Sequence, residues 1–277
     1  MTQPLSVCII QANIIAEKID NNLTHLRELI DSINPKKKVN LIVLPETFSC
    51  GFTSTPSKVA EPSVNGKTLL WMKDVAKEKN SAIVGSTVIE ENGKYYNRVY
   101  FVTPQQEVYE YNKRHLYTMG NEGICFTKGQ KKTVVNYLGW KINLAICYDL
   151  RFPNWLRNSK ENPYDILLIV ACWRAEKRHH WITLTTARAI ENQCYVIASN
   201  NCGILPDTTP NCPDVVYTGD CRFVDYFGYS IKEAKPGVEQ IIYSTLDYQK
   251  LLDWRAHFPV LNDADYCELS IENENTN

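Results

Sequence analysis

No apolar run in this 277-residue chain approaches the ~20 residues that a helix needs to cross a bilayer. Charge of one sign is lacking too. Thirty basic residues stand against 31 acidic ones, leaving a formal charge of −1, and nothing in that balance points to nucleic acid or a membrane as partner. There are ten cysteines but no CxxC pair, which argues against a zinc ribbon or a thioredoxin-like site. The opening MTQPLSVCIIQAN has no basic stretch ahead of a long apolar core, so it reads as a first strand and not as a signal peptide. Low-complexity linkers and internal repeats are also missing. The chain is therefore read as one domain over 1–277, with the polar end 270–277, SIENENTN, expected to fray.

What is present is a series of β-rich apolar runs: LSVCIIQANI, VNLIVLPET, SAIVGSTVIE, NRVYFVTP, KINLAICYDL, DILLIVACW, CYVIASNN, CRFVDYFG and QIIYSTLD. Several of the cysteines lie inside such runs, where a thiol packs as a small hydrophobe. A reduced cytoplasmic protein is the expectation, because a chain of this length needs no disulfide staples. Between the strands runs a helical period. Leu23, Leu26, Ile30 and Ile33 fall on one stripe, Leu69, Met72, Val75 and Ala76 on another, and HWITLTTARAIEN predicts a third helix. Alternating strands and helices imply an α/β protein, with residues 81–111 as consecutive strands joined through a hairpin at EENGKYY.

Three stretches end an apolar strand in a reactive side chain. VNLIVLPETFSCGF brings Glu46, VYEYNKRHLYTMGNE brings Lys113, His115 and Glu122, and INLAICYDLRFP brings Cys147. Ligands of open α/β sheets bind beyond the carboxyl ends of the strands, where all of these groups sit. Each alone has an ordinary explanation as a capping acid, a solvated basic loop or a packed thiol. Together they answer one chemical need. A thiol attacks well only as a thiolate, which a partly buried carboxylate can generate and a lysine can complement at the developing oxyanion.

The segments LPETFSCGF, YNKRHLYTMGNE and ICYDLRFPNWLRN, in this order, resemble the carbon–nitrogen hydrolase (nitrilase) superfamily and its Glu–Lys–Cys triad. VACWRAEKRHHWITLTTARAIENQCYVIASNNCG and TGDCRFVDYFGYSI resemble later segments of that family, and DWRAHFPVLNDAD resembles the C-terminal piece of its bacterial omega-amidase branch. The resemblance implies a four-layer α-β-β-α sandwich that pairs as a homodimer and needs neither cofactor nor metal. It implies Glu46 as general base, Lys113 as oxyanion-stabilising cation and Cys147 as nucleophile, with Glu122 positioning the lysine and the Tyr148 N–H completing the oxyanion site. The substrate would be a small amide, an omega-amide such as 2-oxoglutaramate or 2-oxosuccinamate, hydrolysed through a thioester. N-carbamoyl amino acids, deaminated glutathione and nitriles are the other substrates the superfamily offers, and a non-catalytic interaction module is the reading from a different class.

An omega-amide carries a free carboxylate, so a cation beyond Lys113 is expected. Arg151 and Arg174 are the local choices, although Arg151 could equally pair with Asp149. Phe52, Tyr148 and Trp173 are candidate pocket walls. His115 is an alternative base for Cys147 and, in a strand, would share a face with Lys113. His179 and His180 diverge on a helix and do not suit a metal, while Arg188 and Glu191 read as a structural i,i+3 pair. The stretch GILPDTTPNCPDVVYTGD departs from the branch pattern, so the loop 203–219 is a candidate for the pocket rim.

Overall fold

The computed structural model describes residues 2–205 and 213–265. Cys212, Cys267, the centre of the 203–219 loop and the 270–277 tail lie outside the described residues. The first half of the chain forms β1 (Leu5–Gln11), β2 (Leu41–Val43), β3 (Glu61–Pro62), β4 (Ala82–Glu91), β5 (Lys94–Val102) and β6 (Val108–Asn112). There follow β7 (Val134–Tyr137), β8 (Trp140–Ile146), β9 (Ile166–Ala171) and β10 (Tyr195–Asn200). A small hairpin of β11 (Cys202–Leu205) and β12 (Val215–Thr218) precedes β13 (Arg222–Val224), β14 (Ser230–Glu233) and β15 (Gln240–Leu246). The helices are α1 (Ile19–Asp31), α2 (Lys67–Lys79), the short α3 (Glu122–Cys125) and α4 (Pro153–Leu156), then α5 (Arg178–Asn192) and α6 (Tyr248–His257).

Two sheets result. One has the order β15-β1-β2-β4-β5-β6, with β3 at the far end of β4, and the other has the order β14-β13-β10-β9-β8-β7. At the centre of each, neighbouring strands run parallel: β1, β2 and β4 in the first, β8, β9 and β10 in the second. Their carboxyl ends therefore gather on one side. Residues alternate between two apolar environments along each central strand of the first sheet. Val7, Ile9, Leu41 and Val43 share a core with Leu144, Ile169 and Ile197 of the second sheet. Cys8, Ile10 and Ile42 instead pack beneath Leu23, Leu26, Ile30, Leu69 and Met72 of α1 and α2. Trp181 and Ala189 of α5 and Leu251 of α6 belong to the apolar body of the second sheet. Helix, sheet, sheet and helix thus stack as four layers, and strands buried on both faces appear in the sequence as unbroken apolar runs.

The helical stripes lie in α1, α2 and α5, with Ile33 just past the end of α1 but still packed against its cluster. The 81–111 strands and their hairpin are β4, β5 and the start of β6. One expectation changes. β6 ends at Asn112, so Lys113 and His115 do not lie in a strand, and period-two reasoning about their shared face does not apply.

The end of β2 is held against β4 by a glycine. A Cβ on Gly85 would stand 2.6 Å from Cδ1 of the fully buried Phe48 and 2.9 Å from Cβ of Leu44. These two residues flank Glu46, so the absent side chain lets the segment carrying the carboxylate lie flat on the sheet. Gly85→Ala is expected to destabilise the fold by about 1–3 kcal/mol through overpacking. A urea unfolding curve measures this, and an unchanged midpoint would contradict the packing argument.

Candidate active site

Glu46 leaves β2 through Pro45 and is fully buried. The next residue, Thr47, is left-handed at φ +44° and donates its N–H to Ser86 Oγ at 2.8 Å, which turns the chain back over β4. Three donors then converge on the Glu46 carboxylate. Oε1 accepts from Asn97 Nδ2 at 2.8 Å and from Lys113 Nζ at 2.9 Å, and Oε2 accepts from the Cys172 N–H at 2.6 Å. Lys113 is anchored by its own backbone, donating to Asn97 O at 2.9 Å and accepting from the Gly129 N–H at 2.8 Å. Its buried ammonium also reaches Glu122 Oε2 at 2.8 Å, and that same oxygen accepts the Tyr117 N–H at 2.6 Å.

Cys147 follows the last residue of β8 and is itself left-handed, at φ +43°. For a residue with a side chain this conformation costs roughly 1–2 kcal/mol, so the surroundings must impose it. Asp149 does so. Its buried carboxylate accepts the Ile146 N–H at 3.0 Å and Tyr111 OH at 2.7 Å on Oδ2. On Oδ1 it accepts the His115 N–H at 2.9 Å and lies 2.8 Å from His115 Nδ1. Arg188 secures the other end of the turn, its Nε and Nη2 donating to Leu150 O at 3.1 and 2.7 Å while Nη1 pairs with Glu191 at 3.0 Å.

The electrostatics follow from this packing. Burial opposes charge on Lys113, but Glu122 and Glu46 together outweigh it and hold the ammonium protonated well beyond the ordinary lysine range. Burial raises Glu122, which the lysine partly offsets. For Cys147, burial first and the Glu46 charge second push the thiol well up, so it rests as a neutral thiol. Such a set transfers protons in step with bond formation: a carboxylate can take the thiol proton while an adjacent fixed ammonium faces the charge that develops.

Lys113 and Cys147 line one pocket of about 460 Å3 empty volume with Phe52, Tyr148 and Trp173, and its walls also carry Arg151 and Arg174. All the substrate-facing residues singled out in the sequence thus meet in it, while Glu46 and Glu122 stand behind Lys113. Tyr117, Cys172, Lys177 and Tyr217 complete the lining and were not foreseen. The basic stretch RAEKRHH held a signal for Lys177, and a polar residue amid YYNRVYF held one for Asn97. The Cys172 backbone donor has no signature in sequence. Two alternatives fall away. Asp149 is engaged by His115 and Tyr111, so it does not pair with Arg151, whose guanidinium lies 4.6 Å over the Trp173 ring and 3.2 Å from His180 Nδ1. His115 stacks on Phe152 at 3.8 Å and faces Asp149, leaving it no part in the pocket wall. Among the described residues no three His, Cys, Asp or Glu side chains form a metal-holding group, and no helix is long and apolar enough to cross a membrane.

A sequence profile of carbon-nitrogen hydrolases matches residues 6–256. The chain belongs to the carbon-nitrogen hydrolase family. Omega-amidase YafV of Escherichia coli strain K12 is 35% identical over 267 residues, covering 96% of this chain and 98% of the relative. The 2-oxoglutaramate amidase of Bacillus subtilis strain 168 is 31% identical over 230 residues, with 82% and 85% covered. The crystal structure of XC1258 from Xanthomonas campestris, a CN-hydrolase superfamily protein with an arsenic adduct in its active site, matches at a TM-score of 0.90. That pair is 31% identical and covers 96% of this chain and 99% of the other. As a member of this family the chain is a hydrolase acting on carbon–nitrogen bonds, and its α/β architecture is that of the family.

The turn beneath Cys147 provides a test that does not depend on substrate. Asp149→Ala strips the acceptor from the buried Ile146 N–H, the half-buried His115 N–H and the Tyr111 hydroxyl, and is expected to cost ~3 kcal/mol or more. Asp149→Asn, which keeps one carbonyl acceptor, should lose less. Equal urea midpoints for both variants and the parent would refute the turn's dependence on this carboxylate.

Proposed function

We propose that this hydrolase is an omega-amidase that converts monoamides of small dicarboxylates, such as 2-oxoglutaramate and 2-oxosuccinamate, to the acid and ammonia. The observation that carries the reading is the make-up of the pocket. Lys113 and Cys147 line it, Lys113 is hydrogen-bonded to the buried Glu46, and Arg151, Arg174 and Lys177 are further cations in the walls. An omega-amide has the matching polarity, with a neutral amide to be cut and a carboxylate to be held. The omega-amidase and 2-oxoglutaramate amidase relatives support the same substrate class.

The reaction runs in two halves. Glu46 takes the Cys147 proton as sulfur attacks the amide carbon, and Lys113 with the Tyr148 N–H holds the resulting oxyanion. Glu46 returns the proton to nitrogen, the C–N bond breaks, ammonia leaves and an acyl thioester remains on Cys147. Water then gives a proton to Glu46 and attacks the thioester; the C–S bond breaks, releasing the acid and restoring the thiol. Asn97 and the Cys172 N–H keep the Glu46 carboxylate in place through both halves, and Glu122 keeps Lys113 against it.

Ammonia release from a panel of omega-amides, N-carbamoyl amino acids and nitriles tests the reading. 2-Oxoglutaramate or 2-oxosuccinamate should be the preferred substrate, and Cys147→Ala should abolish its turnover. Lys113→Ala should lower kcat by ~10²–10³-fold, as loss of one oxyanion donor does. Replacing a carboxylate-binding cation, as in Lys177→Ala or Arg151→Ala, should raise KM more than it lowers kcat. Faster turnover of a carbamoyl compound or a nitrile, or activity surviving in Cys147→Ala, would overturn it.

We also propose that the chain works as a homodimer joined across the outer face of the second sheet. There Phe227, Tyr229, Phe258 and Ile190 form a solvent-exposed apolar patch, with Phe227 4.0 Å from the ring of Trp254. Patches of this kind mark association sites. Sedimentation velocity should show a dimer that Phe227→Asp with Tyr229→Asp converts to monomer; a monomeric parent would dismiss the proposal.

A further inference from the structure

The mechanism uses the backbone of Cys172 but leaves its side chain without a task. Only its N–H is needed by Glu46, and a buried residue there could end in a methyl group. Instead it is a second cysteine, and it lines the same pocket as Cys147. Cys147 Sγ lies 3.9 Å from the Cys172 carbonyl oxygen, while Cys172 Sγ is 3.3 Å from Glu46 O and 3.6 Å from Thr47 Oγ1. Strand pairing explains the approach. Ile146 of β8 lies opposite Val170 of β9 in a parallel ladder, so Cys147 and Cys172 are one diagonal step apart just beyond it. Neighbouring strands lie about 4.8 Å apart, so residues leaving their adjacent ends start within the range of separations that a disulfide can bridge. In a regular ladder the two side chains would point to opposite faces. The left-handed turn at Cys147 breaks that alternation, and both residues line the same pocket.

We propose that Cys172 is a resolving thiol for Cys147: a hydroperoxide entering the pocket converts the pair into a disulfide that reversibly blocks the nucleophile. The inference rests on Cys147 being the reactive thiol of the proposed amidase. Glu46 takes the Cys147 proton, and the sulfur attacks one oxygen of hydrogen peroxide. The O–O bond breaks, the departing hydroxide recovers that proton as water, and Cys147 is left as a sulfenic acid. Cys172 sulfur then attacks the Cys147 sulfur and the S–O bond breaks. The second hydroxide leaves as water with the Cys172 proton. Two thiols and one peroxide thus yield one disulfide and two waters. Cys172 reaches the sulfenic acid from inside the pocket wall, so closure needs no thiol from solution. The bond occupies the sulfur that would attack an amide and can be reopened by a dithiol reductant.

Peptide mapping by mass spectrometry of the full-length protein after hydrogen peroxide treatment tests this without any amide substrate. The expected product is a single cross-linked peptide pair containing Cys147 and Cys172, lighter by two hydrogens and cleaved by dithiothreitol. Cys147 oxidised while Cys172 remains a thiol, Cys172 joined to another cysteine, or both thiols untouched would each overturn the proposal. The variant Cys172→Ser supplies a second arm. Its Cys147 should be trapped by dimedone as the sulfenic acid, or gain further oxygen that dithiothreitol does not remove. In the parent, ammonia release lost to peroxide should return on reduction, whereas in Cys172→Ser the fraction of Cys147 carried on to sulfinic or sulfonic acid should stay inactive. A cross-link found in a protein that hydrolyses no amide would sustain the thiol pairing and reject the amidase reading. Amidase activity with no cross-link would do the reverse.

Discussion

A lysine ammonium buried between two carboxylates is the interaction on which the rest of the site depends. Lys113 has lost its water and is charged only because Glu46 and Glu122 surround it. Removing the lysine would leave two carboxylates with no counter-charge in a dry place, which is costly in proteins generally. This mutual need fixes geometry as well as charge. Glu122 is presented by a one-turn helix, and Glu46 by a strand end with a left-handed residue after it. Neither element would hold a carboxylate precisely by itself; the ammonium between them does.

Cys147 is governed differently. Burial and the nearby carboxylate outweigh Lys113 and keep it a thiol at rest. In the proposed mechanism it reacts only once a substrate carbonyl gives the developing charge somewhere to go. What the fold supplies is direction. Asp149 ties the turn after β8 to Tyr111 and His115, and Arg188 ties it to α5. Several of these groups sit in the same sequence motifs as the triad, and they serve it by holding backbone.

How far the sequence was readable depended on what kind of fact was sought. The layers were legible because strands buried on both faces leave continuous apolar runs and α1, α2 and α5 leave a helical period. Glu46, Lys113 and Cys147 were legible because each follows such a run. Glu122 was recognisable only as part of a family pattern. Roles that belong to the backbone left no trace: the Cys172 N–H on Glu46, and the left-handed turns at Thr47 and Cys147. His115 misleads in sequence because two residues of separation suggest a shared strand face, whereas β6 stops before Lys113 and the chain turns. Arg151 misleads because Asp149 is near in number but already fully occupied.

Glu46 and Lys113 extend from the first sheet and Cys147 from the second, and β1 pairs with β15 from the opposite end of the chain, Leu5 opposite Leu246. The site is therefore late in any order of assembly. During synthesis the strand at residues 5–11 can meet β2 early, but its partner on the other side is more than two hundred residues away, and such distant pairings form slowly. Until the two sheets close on one another, Cys147 has neither Glu46 nor Lys113 beside it and is an ordinary cysteine. Chemical competence thus doubles as a signature of completed folding, and a nascent or half-assembled chain is chemically silent toward the amides around it.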